Sequence, residues 1–384
     1  MREFVKTLAY VRKNECEVFL TRLRREQTPC GLYFGVKPDD DTLNNYVKAL
    51  RNSGINITYL LFIGTKNIAA VPPTVQGIKT VDLHDLSTCA GDMQCILSVA
   101  NLHLLSLFPL FEKYGLDTFQ VEDTKFTHSR TDMLYEHLPE IYDTYALLSD
   151  DASGRAFLGF LSYKFTSRLN DFVFAPEAQY FLAGFTPGQG DIVIDGGAYD
   201  GATARDFASL GAKVYSFEMD SNNFVKCANA AEKYGFVIEN LGLGEAEKKV
   251  NYFHGGTASS YFGGGDAEAQ LTSIDGYVRN KDLPRVDYIK LDVEGAEFDT
   301  LKGAARTISK WKPKMAISAY HLHNDIYTLP AFIKSIRPDY EFAFRHYPIN
   351  AHDYLTSETE QQLLKEYGSD LMLKTMCEAV LYCR

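Results

Sequence analysis

The stretch that constrains this chain most is Asp191-Ile-Val-Ile-Asp195-Gly-Gly-Ala-Tyr-Asp-Gly201. Its apolar run, Ile192 to Ile194, is short and β-branched, which predicts a parallel strand buried on both faces. Gly197 and Gly201 follow, and Ala202 to Leu210 resumes with helical spacing. The segment therefore reads as a strand, a glycine turn and a helix start. Such a junction offers a ligand free backbone N–H groups and the positive end of a helix dipole. Glycine also lets the backbone approach where a Cβ would collide.

The ligand class is narrowed downstream. Lys213 to Phe217 reads as a second strand that ends in Glu218. A carboxylate at that tip suits a vicinal ribose diol. A nicotinamide dinucleotide would want the same acid, but its pyrophosphate needs G-x-G-x-x-G. Here the spacing is Asp195-x-Gly197-x-x-x-Gly201. An acid ahead of the glycines fits a ligand with a cationic amine and a carboxylate, and S-adenosylmethionine is such a ligand. Without a ligand, the same residues make a strand-to-helix turn with packing glycines.

A third strand tip reads Lys290-Leu-Asp292-Val-Glu294-Gly-Ala-Glu297, after the apolar run Val286 to Leu291. Three carboxylates at the ligand edge of a sheet are costly unless a cation sits among them. Asp292 is the strongest candidate for a role at the site. Glu297 either serves there or only complements the dipole of the next helix.

With 384 residues, 46% of them hydrophobic, the chain is comfortable for two domains. A formal charge of −11 and the lack of a basic stripe argue against nucleic acid as partner. The N-terminus lacks the apolar core of a secretory signal, and the most apolar window, Ile96 to Phe111, is too short to span a bilayer. Seven cysteines without a C-x-x-C pair suggest reduced thiols and a cytoplasmic protein.

Along the chain, residues 1 to about 28 read as helix. Strands at Gly31–Val36, Ile55–Gly64, Ile78–Leu83, Gln94–Ala100 and Thr118–Val121 then alternate with helices, predicting a smaller doubly wound α/β domain over 1–125. Its first turn has glycines at the wrong spacing and Pro38 where a helix should accept phosphate. That domain reads as a scaffold or partner-binding module, or else as the holder of a small ligand. Residues 126–185 form a helical connector, in which Tyr180 and Phe181 either close over the pocket or pack in the core. The second domain, 186–384, continues with a strand at Lys314–Tyr320, a helix at Leu329–Ile336 and strands at Tyr340–His346 and Thr375–Tyr382. This is a mostly parallel α/β sheet with an antiparallel last strand. The glycine-rich run 255–265 reads as a mobile lid or a solvated linker.

With these motifs in hand, the chain resembles the FkbM family of S-adenosylmethionine-dependent methyltransferases. The resemblance is carried by Ala175–Phe181, Val193–Gly201, Tyr215–Asp220, Tyr288–Glu297, Leu301–Ala304 and Tyr320-His321 with Asp325 and Pro330. It implies a Rossmann-like class I methyltransferase fold for the second domain, and a nucleotide-binding-like α/β domain with an eroded phosphate turn ahead of it. It further implies cofactor contacts at Asp195, Gly196, Gly197, Ala198 and Gly201, ribose recognition by Glu218 beside Met219, and active-site roles for Asp292 and Glu294. Met219 stands where a proline is common, and His323 is not part of the usual pattern.

The activity implied is O-methylation of a hydroxyl on a sugar, glycan or secondary metabolite. Its rival is a non-catalytic cofactor-binding or assembly protein of a glycan-biosynthesis system; self-association is left open. His321 is the candidate general base with Asp325 as its orienter, or Asp292 takes that part. His321, His323 and Asp325 also form an H-x-H-x-D run that suits a metal if the strand continues through it. No metal is assigned. Acceptor specificity is expected in loops 254–270 and 347–370.

Overall fold

The structure is a computed structural model that describes residues 2–14, 22–34, 40–62, 72–98, 108–120, 134–166, 168–253, 261–262, 265, 267–347 and 378–384. The chain divides into two units, each discontinuous in sequence. Unit 1 comprises Met1–Glu136, Arg155–Phe174 and His346–Cys377, and unit 2 comprises His137–Gly154, Ala175–Arg345 and Glu378–Arg384.

Unit 1 is built on six strands: β1 (Cys30–Tyr33), β2 (Ile57–Phe62), β3 (Thr74–Val75), β4 (Ile78–Asp82), β5 (Cys95–Ser98) and β6 (Asp117–Gln120). They lie in the order β3-β4-β2-β1-β5-β6. Every pairing is parallel except the short β3 edge. The order reverses between β1 and β5, as in a doubly wound sheet. The five expected strands are all present. The two-residue β3 gives too short a pattern to read from sequence.

Unit 2 contains β7 (Ile192–Gly196), β8 (Lys213–Phe217), β9 (Val237–Glu239), β14 (Tyr288–Leu291), β15 (Lys314–Ser318), β17 (Glu378–Cys383) and β16 (Phe342–Tyr347) as far as Arg345. These form one seven-stranded sheet in the order β16-β17-β15-β14-β7-β8-β9. The pairs among β15, β14, β7, β8 and β9 are parallel, and β17 runs antiparallel to β15. This is the mostly parallel sheet with an antiparallel last strand that the sequence implies. All residues of β7 and β14 are buried, which is why their apolar runs are continuous and do not alternate. A second sheet joins β10 (Gly242–Leu243), β11 (Lys248–Phe253), β12 (Tyr261–Phe262) and β13 (Ala267–Thr272) in the order β10-β13-β11-β12.

Helices follow β7, β8, β14 and β15 at Ala202–Ser209, Ser221–Tyr234, Glu297–Lys302 and Asp325–Ile336. Asp220 caps the second, accepting from the N–H groups of Asn222 and Asn223. Among the described residues no helix is long and apolar enough to cross a membrane. The glycine-rich run 255–265 lies outside the described residues except for β12 and Gly265, and loop 347–370 lies outside them beyond Tyr347.

Candidate functional site

The site starts from a polar row across three buried strands. Ser216 on β8, Asp195 on β7 and Lys290 on β14 are register partners. Ser216 Oγ donates to Asp195 Oδ2 at 2.9 Å, and Lys290 Nζ stands 3.2 Å from Asp195 Oδ1, an ion pair lacking hydrogen-bond alignment. The ammonium also donates to the carbonyls of Gly196 at 3.0 Å and Gly197 at 2.6 Å. Burial would depress the Lys290 pKa, but Asp195, Asp292 and Glu218 hold it above its ordinary value. Lys290 therefore stays charged and pins the glycine turn. Asp195, expected to contact the ligand's amine, is fully buried and turned to Lys290 and Ser216.

The turn itself is tightly closed. Gly197 has φ +75°, and a Cβ there would lie 1.8 Å from the carbonyl oxygen of Asp292. Gly201, at φ +84°, packs against Cys227, Phe236 and Ala230. The expectation of free N–H groups is corrected here. Those of Gly197 and Ala198 both donate to the Phe217 carbonyl, and that of Tyr199 donates to Glu218 Oε2 at 2.8 Å. Two strand tips lie side by side at this edge, and the turn satisfies its donors on its neighbour.

Glu218, 7% exposed, is thus held at both oxygens, since Oε1 accepts from the Asp220 N–H at 2.9 Å. Burial raises its pKa, while the two N–H bonds work in the other direction. It faces a cleft, open to solvent, lined by Gly197, Tyr199, Phe217, Glu218, Met219, Leu241, Gly242, Leu243, Asp292, Val293 and Glu294. Of the sequence-predicted residues, Gly197, Glu218, Met219, Asp292 and Glu294 meet there. Asp195, Gly196, Ala198, Gly201, His321 and Asp325 are not among its lining residues. The apolar wall from Leu241 to Leu243 was not foreseen, because a Leu-Gly-Leu run resembles any short strand.

Across the cleft stands a carboxylate cluster. Asp292 Oδ2 accepts from the Tyr180 hydroxyl at 3.0 Å, and Oδ1 from the Tyr320 hydroxyl at 3.5 Å. Burial would raise the Asp292 pKa, but Lys290 and His321 keep it below its usual value. Burial raises Glu294 to about 7. Glu297, fully buried, accepts from the N–H groups of Val293 and Gly295 and from His321 Nδ1 at 2.9 Å. Its place at the start of a helix thus serves the 293–295 turn and the histidine. Tyr180, expected either to cover the pocket or to pack, is buried with its hydroxyl on Asp292, whereas Phe181 packs on Phe207. Glu378, at the start of β17, accepts from Gln179 and is raised to about 7 by burial and by Asp292.

His321 Nε2 lies 3.6 Å from Asp292 Oδ1 and 3.4 Å from Glu294 Oε2. Burial would lower its pKa, but the Glu297 hydrogen bond and the charges of Glu297, Asp292 and Glu294 raise it to about 10. At neutral pH it is an imidazolium, with no lone pair for a general base. The carboxylate that orients it is Glu297. Asp325 Oδ2 accepts from the Leu322 N–H at 2.7 Å and opens the helix Asp325–Ile336. Because β15 ends at Ser318, His321, His323 and Asp325 occupy a turn and a helix start, so the H-x-H-x-D alternation has no strand to act on.

The parallel sheet and the cleft at its C-terminal edge define a class I methyltransferase fold. Residues 195–354 match the model of the methyltransferase FkbM domain, so this part of the chain is a methyltransferase domain. The crystal structure of methyltransferase FkbM from Methylobacillus flagellatus KT is similar at 18% identity and a TM-score of 0.65, covering 100% of this chain and 98% of that one. An rRNA methylase from Streptococcus thermophilus (12% identity, TM-score 0.29) covers 51% of this chain and 86% of its own. A SAM-dependent methyltransferase from Agrobacterium tumefaciens (10%, 0.31) covers 52% and 57%. No curated protein matches the chain.

Proposed function

We propose that the protein transfers a methyl group from S-adenosylmethionine to a hydroxyl of a sugar, glycan or secondary metabolite. The observation that carries this reading is the convergence of three chemistries on one cleft: Glu218, the apolar wall of Met219, Leu241 and Leu243, and the carboxylates Asp292 and Glu294. They suit a ligand with a vicinal diol, a flat apolar ring and a cationic end.

S-adenosylmethionine supplies a methyl group carried on a sulfonium. Glu218 has both oxygens fixed by backbone N–H groups and keeps lone pairs for two ribose hydroxyls. Asp292 and Glu294 place negative charge at the tip of β14, where a sulfonium is stabilised. Holding the acceptor oxygen within about 3 Å of the methyl carbon supplies much of the rate. The hydroxyl proton passes to the β14 carboxylates, and a group titrating near 7, as Glu294 does, suits that transfer. His321, fixed by Glu297, holds those carboxylates in place.

Methyl transfer from labelled S-adenosylmethionine to a panel of hydroxylated glycans and metabolites tests the reading. Glu294→Gln and Asp292→Asn are expected to lower turnover roughly 10²-fold. Label appearing only on nitrogen, or variants as active as the wild type, would refute it.

A further inference from the structure

We propose that His321 and Asp292, with Glu294 beside them, form a binding site for a divalent cation at the edge of the cleft. Asp292, Glu297 and His321 each offer a ligand atom within 4.8 Å of the others. The second observation is His321 itself. Its side chain is 9% exposed, and its Nε2, buried, has no hydrogen-bond partner. That nitrogen is aimed between Asp292 Oδ1 at 3.6 Å and Glu294 Oε2 at 3.4 Å. These separations are long for hydrogen bonds. They approach the edge of a coordination polyhedron, since metal–ligand bonds of about 2.1 Å set neighbouring ligand atoms roughly 3.0–3.4 Å apart.

The surroundings fit the same ion. Glu297 Oε1 holds His321 Nδ1 at 2.9 Å, so the other nitrogen points into the cluster, the carboxylate–histidine arrangement that orients a metal ligand. Glu297 is occupied by two backbone N–H groups besides and is the orienter, not a ligand. In this linked cluster Lys290 and His321 face four carboxylates, those of Asp195, Asp292, Glu294 and Glu297. Burying such an excess of negative charge is unfavourable, and a dication among these carboxylates offsets it. One imidazole and two carboxylates with open positions suit Mn²⁺, Mg²⁺ or Zn²⁺. Asp292 and Glu294 also line the cleft, so the open positions face it. The ion's use, fixing the acceptor oxygen beside the methyl group, rests on the function proposed above; its binding does not.

The experiment is an electron paramagnetic resonance titration of the full chain with Mn²⁺ alone. Loss of the free-ion signal is expected to saturate at one ion per chain, with a Kd on the order of 100 µM or below. His321→Gln, Asp292→Asn and Glu294→Gln should each weaken binding roughly tenfold or more. Glu218→Ala should bind as the wild type does, and thermal melts identify any variant that fails to fold. An undiminished free-ion signal with the wild type overturns the site, as do three folded variants that bind normally. Separate titration with S-adenosylhomocysteine keeps the two readings apart, because each ligand can bind without the other.

Discussion

At the scale of single residues, the site depends on close approaches that tolerate no substitute. Gly197 combines a left-handed φ of +75° with a carbonyl 1.8 Å from where a Cβ would stand. Gly197→Ala is expected to cost about 3 kcal/mol or more, because the β7 turn must move off the tip of β14. A thermal melt with an unchanged midpoint would contradict this. Lys290 is the other such residue. Lys290→Met leaves Asp195 buried without its cation and is expected to destabilise the fold by about 3–5 kcal/mol. Adding Asp195→Asn should recover part of that loss, and chemical denaturation of the three variants measures it. Strict additivity would show that the pair is not coupled. Lys290 was visible in the sequence only as one letter of a motif. Its task became apparent only when the register set it opposite Asp195.

At the scale of elements, the pattern of apolar residues revealed most of what is fully buried. The strands at 192–196, 288–291 and 314–318 have both faces covered, so their runs stand out. β13 was missed because Glu268 and Gln270 face solvent between its buried residues, and six such residues carry little periodicity. The 319–325 segment was misread for a different reason. His321, His323 and Asp325 alternate like a strand, but the Asp325 carboxylate caps the turn at Leu322 and starts a helix. β16 carries a pH-dependent prediction. His346 is fully buried against Phe172 and Phe174, with ring centroids 4.3 and 4.9 Å away. Burial, with Lys164 adding to it, lowers its pKa to about 3. The folded state thus refuses a proton that the unfolded chain accepts below its ordinary value of 6.5. The neutral ring's contribution is complete above pH 6.5 and is lost as pH falls toward 3, a difference of about 5 kcal/mol. His346→Leu should flatten the acid limb of stability against pH, and an unchanged limb would show that His346 is not the group responsible.

At the scale of the whole molecule, the sequence conveyed the mostly parallel character of both sheets but not the order of their strands. The expected boundaries were continuous segments, whereas the two compact units interleave, with 155–174 and 346–377 in the first and 137–154 and 378–384 in the second. Sequence patterns report local periodicity, and such exchanges arise from contacts between distant segments. The cleft followed the same division. Glu218, Met219, Asp292 and Glu294 were legible as acids and neighbours at strand tips. Tyr320 and Glu378 were not, and Tyr180 was legible only as an aromatic that either covers the pocket or packs, since only folding brings these residues to Asp292. A ligand that binds only the folded protein must stabilise it, so S-adenosylhomocysteine at 100 times its Kd should add about 2.7 kcal/mol to unfolding.

The most direct test of the account is isothermal titration of S-adenosylmethionine and S-adenosylhomocysteine into the wild-type protein and Glu218→Ala. The account predicts one site per chain with a Kd in the micromolar range, weakened at least roughly tenfold in the variant, about 1.4 kcal/mol. Absence of heat with the wild-type protein, or equal affinity in Glu218→Ala, would contradict the assignment of this cleft.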